Sequence, residues 1–378
     1  MSVQEKLSKS GPRKLLALDG GGIRGILSIE VLAEIERLLQ QALRKDDTFV
    51  LADYFDYIAG TSTGAIIATC LSLGWRVDKL RRFYHDKAEE MFNRASILKR
   101  LHFKFDAEPL IALLKAELGA DATLGSEKLK TLLLLILRNA TTDSPWPLSN
   151  NPRAKFNASD LLDCNLQLPL WQLVRASTAA PTYFPPEVVN VGERSFVFVD
   201  GGVTMYNNPA FQLFLMATVE PYNLRWPTGE DRMLLVSIGT GTSPDANAEL
   251  RPDQMNLLFN AGSIPSALMF AALNEQDFLC RVFGNCLVGG PLDVEIGDMI
   301  NRPENVCGYR GPVEPKLFTY LRYNAELSHE GLTDLGLSDV EPKNVQQLDS
   351  VEHKGDLRRV GEAVAKKVAK QHFATFLQ

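Results

Sequence analysis

Ser62 lies in Gly60-Thr61-Ser62-Thr63-Gly64, a G-x-S-x-G pentapeptide directly after Asp56-Tyr57-Ile58-Ala59. That spacing suits a hydroxyl nucleophile for acyl transfer. Gly60 and Gly64 permit a sharp strand-to-helix corner and keep side chains clear of the hydroxyl. The run Ala65–Leu73 then starts a helix whose N-terminus points at the reacting centre. Alone, the pentapeptide also describes an ordinary turn, so the chemistry rests on what else is brought to it.

A serine hydroxyl attacks effectively only when a base removes its proton. The usual base is a histidine, in the chain order Ser, Asp or Glu, His. The five histidines are His85, His102, His329, His353 and His372, and none follows a strand or sits in a glycine turn. His85 and His372 fall in helical patterns. His329 and His353, in polar C-terminal loops, keep open a Ser-His-Asp esterase acting on soluble esters. Asp200 ends the predicted strand Phe196–Val199 and precedes Gly201-Gly202, so backbone can approach it closely. As direct base it would form a Ser–Asp dyad. An aspartate has an ordinary pKa of about 3.9, so burial must raise its proton affinity for this task. An isolated Asp-Gly-Gly would otherwise read as a helix N-cap or turn.

Attack on an ester places negative charge on the carbonyl oxygen, which backbone N–H donors stabilise; losing one such donor costs about 10²–10³ in rate. Gly20, Gly21 and Gly22, at the start of a predicted helix, offer donors with no side chains in the way. Arg24 adds positive charge there, binds a phosphate head group, or makes a solvent salt bridge. The loop also reads Gly20-x-Gly22-x-x-Gly25, the dinucleotide fingerprint. That fingerprint needs an acidic residue at the end of the second strand, where this chain has Gly60-Thr61-Ser62. Asp46 and Asp47 have the spacing but lie in the connection, so nucleotide binding is the minor reading.

The elements that must position these residues follow from periodicity. Lys14–Leu18 reads as a buried strand running into Asp19–Gly25, followed by a helix with Leu27, Val31, Ile35, Leu38 and Leu39 at helical spacing. Lys79–Phe92 and Leu170–Ala179 read as helices, Leu129–Leu137 and Met233–Ile238 as strands, and Thr141–Arg153 as a loop. The alternation predicts an α/β fold, a central mostly parallel sheet sandwiched between helices. Four predicted strands end in glycine-bearing turns: Asp19–Gly22, Gly60–Gly64, Asp200–Gly202 and Gly239–Gly241. The carboxyl ends of parallel strands share one sheet edge, so these turns are expected to meet. Residues 1–12 are expected to be disordered and 13–245 to form the catalytic domain, with an insertion at about 93–125. Residues 246–378 are expected to be a mainly helical and irregular extension packed on that domain, ending in a helix from about Gly355 to Leu377.

Bulk composition bounds the function. The 378 residues are 45% hydrophobic and 23% charged with a net charge of −6, a globular composition with no basic excess for a nucleic-acid polymer. The longest aliphatic run, Leu132–Leu137, is far shorter than the about 20 residues that span a bilayer. The polar opening Met1–Lys6 shows no signal core. Cys70, Cys164, Cys280, Cys286 and Cys307 form no C-x-x-C pair. The expectation is a cytoplasmic protein with free thiols, recruited to the inner face of the membrane if its substrate lies there.

With those residues in hand, the chain resembles the patatin-like phospholipase family. The resemblance rests on Asp19–Gly25 (DGGGIRG), Asp53–Gly64 (DYFDYIAGTSTG), Ser177–Pro186 (STAAPTYFPP), Val199–Gly202 (VDGG) and Val236–Thr242, in family order over about 230 residues. It implies Ser62 as nucleophile, Asp200 as its base and Gly20–Gly22 as oxyanion hole. It also implies hydrolysis of acyl esters in phospholipids or related glycerolipids, with no metal or organic cofactor. Storage patatins carry a secretory signal; the polar opening here leads to the expectation of none, so vacuolar localisation is not carried over, nor is any functional residue in the C-terminal third. Some bacterial members degrade membranes when switched on by cyclic nucleotides in antiviral defence, which makes a cyclic nucleotide a candidate activator. A catalytically silent lipid or nucleotide sensor on the same scaffold is the reading from another class. For membrane contact the sequence offers Leu98–Phe105 and the basic amphipathic C-terminal helix, although both also fit segments that cover the core.

Overall fold

The computed structural model describes residues 2–92, 103–243, 250–251, 255, 257–300, 302 and 312–377, with side chains of the helix Leu257–Phe283 described from residue 267 onward. In chain order the elements are α1 (Val3–Ser8), β1 (Arg13–Leu18), α2 (Gly25–Ala42), α3 (Leu51–Tyr54), β2 (Tyr57–Thr61), α4 (Thr63–Ser72), α5 (Val77–Met91) and α6 (Glu108–Leu118). Next come β3 (Leu132–Asn139), β4 (Ser144–Ser149), α7 (Leu170–Ser177), β5 (Glu187–Val191), β6 (Arg194–Asp200), α8 (Ala210–Thr218) and β7 (Met233–Ile238). The remainder adds α9 (Leu257–Phe283), β8 (Asn285–Val288), β9 (Thr319–Tyr323), α10 (His329–Asp334), α11 (Pro342–Gln346) and α12 (Lys354–Ala365).

These strands form one sheet in the order β5-β6-β3-β2-β1-β7-β9-β8, with β4 paired to β3. From β3 to β8 the strands are parallel. Both faces are covered, which is why the central strands read as unbroken apolar runs. Successive residues feed opposite cores: Leu16, Leu18 and Ile58 pack in one cluster, and Leu15, Ala17 and Tyr57 in the other. The first face carries α2, α4 and α5, and the second carries α8.

Several expectations need correction. The polar opening is not disordered: Ser2 and Glu5 form a capping box, and the fully buried Lys6 ammonium donates to the Phe55 carbonyl. The predicted loop Thr141–Arg153 contains β4, whose Pro145 and Pro147 are tolerated because among the described residues this strand pairs with β3 alone. The sheet also runs past residue 245, since β8 and β9 extend it beyond β7. Finally, the last predicted helix ends at Ala365 and resumes as the 3-10 turn Lys370–Phe376.

The most consequential correction concerns β6, which runs antiparallel to β3. In that orientation its end should lie at the far edge of the sheet. Register rescues it. β4 covers Leu134–Asn139 on one edge of β3, so β2 and β6 share the other edge. There β2 occupies Leu132–Ile136 and β6 occupies Leu137–Asn139. The two strands abut end to end, and the glycine turns converge for a different reason than parallel topology supplies.

Candidate active site

Ser62 leaves β2 and caps α4 with φ 55° and ψ −122°, a left-handed conformation that L-residues rarely adopt. The flanking glycines explain how the corner closes. A Cβ on Gly60 would collide with the Gly64 carbonyl, and one on Gly64 with the Leu18 carbonyl of β1. The corner is pinned by Ser177 at the end of α7. Its Oγ accepts from the Ser62 N–H at 2.9 Å and donates to the Ile136 carbonyl of β3 at 2.6 Å.

Ser62 Oγ donates to Asp200 Oδ2 at 2.6 Å, and the Gly202 N–H donates to Oδ1 at 2.6 Å. Asp200 is buried, and burial lifts its pKa to about 6, opposed by the Ser62 hydroxyl, the Gly202 N–H and the Arg175 guanidinium. A carboxylate so poised is ionised at neutral pH yet more basic than an ordinary aspartate. It can accept the Ser62 proton. Arg175 is itself fully buried, donates to the Pro185 carbonyl at 2.8 Å and stacks on Phe184.

The Asp19–Gly25 loop lies beside them, but its donors divide. The Gly20 N–H, expected in the oxyanion hole, is held by the Asn207 carbonyl at 3.1 Å. Gly21 and Gly22 line the cleft, and their N–H groups donate to no described residue. Gly22 has φ 59°, and a Cβ there would strike the Leu348 carbonyl, so glycine is required twice over. Arg24 is buried, its pKa lowered to about 10 by burial, and it donates to the Gln346 carbonyl at 3.3 Å rather than lining the cleft.

Around Ser62 the cleft wall is apolar: Ile66, Met91, Leu110, Tyr183, Phe184 and Met269 contribute. Among the described residues no histidine lines it. His85 pairs with Asp86 on the surface, His329 begins α10, His353 faces Asp356, and His372 bonds the Tyr323 hydroxyl. His102 and residues 93–102 of the expected insertion lie outside the described residues. Phe105, at the end of that insertion's basic-aromatic run, is buried against Tyr183 and Phe184.

Sequence reasoning attached no role to Ser177, Asn207, Arg322 or Leu348. Ser177 opens the quoted stretch Ser177–Pro186, but nothing in its spacing tells that it holds the corner. Arg322 carried a usable signal, a charge inside the apolar strand Thr319–Tyr323. It makes a bidentate pair with buried Asp19 at 3.0 and 2.6 Å and donates to Ser237 at 2.7 Å. Burial opposes its charge, but Asp19 outweighs that and holds the Arg322 pKa above its usual value. Leu348 closes the loop from the C-terminal region by accepting the Ile23 N–H at 2.9 Å.

The basic C-terminal helix is otherwise engaged. Leu357, Val360 and Val364 of α12 are buried, and Gly361 lets the helix approach α2 so closely that a Cβ would crowd Leu27 and Glu30. Arg358 pairs with Glu362, and Arg359 with Asp339 and Asp356. No helix of the described residues is long and apolar enough to cross a membrane.

The profile of the Patatin family, described as patatin-like phospholipase, matches residues 16–214. Among curated proteins the chain is similar to a cGAMP-activated phospholipase of Escherichia coli, 30% identical over 60% of this chain and 62% of that protein. It is 29% identical to Patatin-17 of Solanum cardiophyllum over 61% of each chain. A cGAMP-activated phospholipase of Vibrio cholerae is 30% identical over 52% of this chain and 56% of its own. The matches thus span roughly 56–62% of the length of these relatives.

Proposed function

This chain belongs to the patatin-like phospholipase family, and on that premise we propose that it is a lipid acyl hydrolase using Ser62 as nucleophile and Asp200 as base. The observation that carries the reading is the 2.6 Å Ser62–Asp200 hydrogen bond at the wall of an apolar cleft. The substrates proposed are fatty acyl esters of phospholipids or other glycerolipids, whose acyl chains suit such a wall.

In the proposed reaction Ser62 Oγ attacks the ester carbonyl as Asp200 takes its proton, and the carbonyl electron pair moves to oxygen beside the Gly21 and Gly22 N–H groups. Collapse breaks the bond to the leaving alcohol, which receives the proton from Asp200. Water, activated by the same carboxylate, then hydrolyses the acyl-enzyme and regenerates Ser62. The catalytic unit of this proposal extends beyond residue 245, because Met269 and Leu348 line the same cleft.

Two relatives are named as cGAMP-activated, so a cyclic nucleotide activator belongs to the proposal. Peripheral membrane contact also belongs to it: the exposed Leu268 adjoins cleft-lining Met269, and Met205 is exposed just beyond Gly202-Val203. Lipid analysis of phospholipid vesicles incubated with wild-type or Ser62→Ala protein, with and without cyclic dinucleotide, tests the reading. Free fatty acid released by wild type alone supports it, whereas equal release by Ser62→Ala refutes it. Failure of wild type to react with a fluorophosphonate at Ser62 would instead favour a silent sensor.

A further inference from the structure

Asn207 follows β6 in the turn Tyr206-Asn207-Asn208-Pro209, which the reaction just described does not use. It is 1% exposed and lines the cleft with Ser62, Asp200, Gly21 and Gly22. Its Oδ1 is buried without a hydrogen-bond donor, and its Nδ2 finds no acceptor among the described residues. An amide whose oxygen is buried without a donor and whose nitrogen has no acceptor is costly to keep, so natural structures keep one only where something else satisfies it.

Its placement says what that is. The point where a Cβ on Gly20 would stand touches the Asn207 Oδ1 and lies 3.2 Å from Ser62 Cβ. The corresponding point on Gly202 lies 2.9 Å from Asp200 Oδ1 and 3.2 Å from Asn207 Oδ1. The amide oxygen therefore sits between the glycine loop and the Ser62–Asp200 pair. Because it finds no donor there and Nδ2 no acceptor, a half-turn of the amide that puts the NH₂ in its place breaks no hydrogen bond. Glycine at 20 and 202 is what gives it room.

The turn is held in place from several sides. Thr61 Oγ1 donates to the Tyr206 carbonyl at 2.7 Å, the Gly20 N–H to the Asn207 carbonyl at 3.1 Å, and the Ala210 N–H to Asn208 Oδ1 at 3.0 Å. A fixed backbone with an unpaired side-chain amide is a pre-organised donor.

We propose that Asn207 is a further catalytic residue, its side-chain NH₂ donating to the ester carbonyl oxygen as that oxygen becomes anionic. It supplies the donor that Gly20 withholds, since the Asn207 carbonyl occupies the Gly20 N–H. The proposal rests on the acyl-hydrolase reading. It deepens that reading by naming a third donor beside Gly21 and Gly22.

The test compares wild type, Asn207→Ala and Asn207→Asp on a soluble p-nitrophenyl ester and by fluorophosphonate inactivation, with thermal melts to verify folding. Asn207→Ala should lower kcat by about 10²-fold or more with KM unchanged, and should slow inactivation in parallel. Asn207→Asp, nearly isosteric, sets a carboxylate against the oxyanion and should lose more at neutral pH. Its deficit relative to wild type should shrink as the pH falls and that carboxyl becomes a donor. A folded Asn207→Ala with wild-type kcat overturns the proposal, as does an Asn207→Asp deficit that is the same at every pH. All three proteins are assayed with and without cyclic dinucleotide. Wild type inactive in both conditions would sink the acyl-hydrolase reading as well, whereas active wild type with unaffected Asn207→Ala sinks this proposal alone, so the two failures are distinguishable.

Discussion

The Ser62 hydroxyl and the Asp200 carboxylate meet at 2.6 Å although β2 and β6 deliver them from opposite directions along one edge of β3. Ser62 follows Thr61, which pairs with Ile136, and Asp200 pairs with Leu137, the next residue along that strand. A shift of one residue in either register would turn a side chain to the opposite face and part the two groups. The Ser62–Asp200 pair is a register feature of three strands.

Asp200 makes the proposed activity dependent on pH. Burial raises its pKa to about 6, and only the ionised form accepts the Ser62 proton. The kcat/KM profile should be flat above that value and fall about tenfold per pH unit below it. Stability runs the other way. A carboxyl whose folded pKa exceeds its unfolded value contributes most at low pH, and the contribution is lost as pH rises through about 6. Asp200→Asn should therefore abolish hydrolysis while raising the melting temperature at neutral pH. A melting temperature lowered by several degrees would contradict this.

Ser62 holds a left-handed backbone with φ 55°. Such strain costs on the order of 1–3 kcal/mol in a residue with a Cβ and is relieved by glycine. Ser62→Gly and Ser62→Ala lose the same hydroxyl and should be equally inactive. Ser62→Gly should melt above Ser62→Ala by a few degrees, read by calorimetry.

Ser177 should matter to rate through the corner it pins. Ser177→Ala leaves the Ser62 N–H without its acceptor, at a cost of about 1–3 kcal/mol. The expected kinetic result is a kcat lowered by about tenfold or more with little change in KM. Unaltered kcat in a variant of lowered stability would make Ser177 purely structural.

Arg322 neutralises Asp19 at the foot of the glycine loop, and both side chains are buried. Removing one partner leaves an uncompensated charge, so Arg322→Met should destabilise by about 3–5 kcal/mol in urea titration. Adding Asp19→Asn to that variant should restore much of the loss. A double variant no more stable than the single one would mean that the pair is not coupled.

How much was legible follows the range of the physics involved. The Gly60–Gly64 corner, the Asp19–Gly22 loop and Asp200 before two glycines are local signals, because steric need for glycine is written where the chain bends. The parallel central strands were legible too, since burial on both faces demands unbroken apolar runs. β4 was hidden by its prolines, which forbid a central strand but not one with a single partner. The antiparallel course of β6 left no mark on its own residues.

By itself, then, the sequence determined that a serine corner, a glycine loop and an aspartate would each end a strand, because chain sterics and side-chain period act over a few residues. Only the tertiary structure decided which groups meet there. Strand register brought Asp200 to Ser62 and occupied the Gly20 N–H with Asn207. Pairing across 303 residues gave Asp19 its Arg322. Such contacts are set by packing between elements distant in sequence, and no local pattern encodes them.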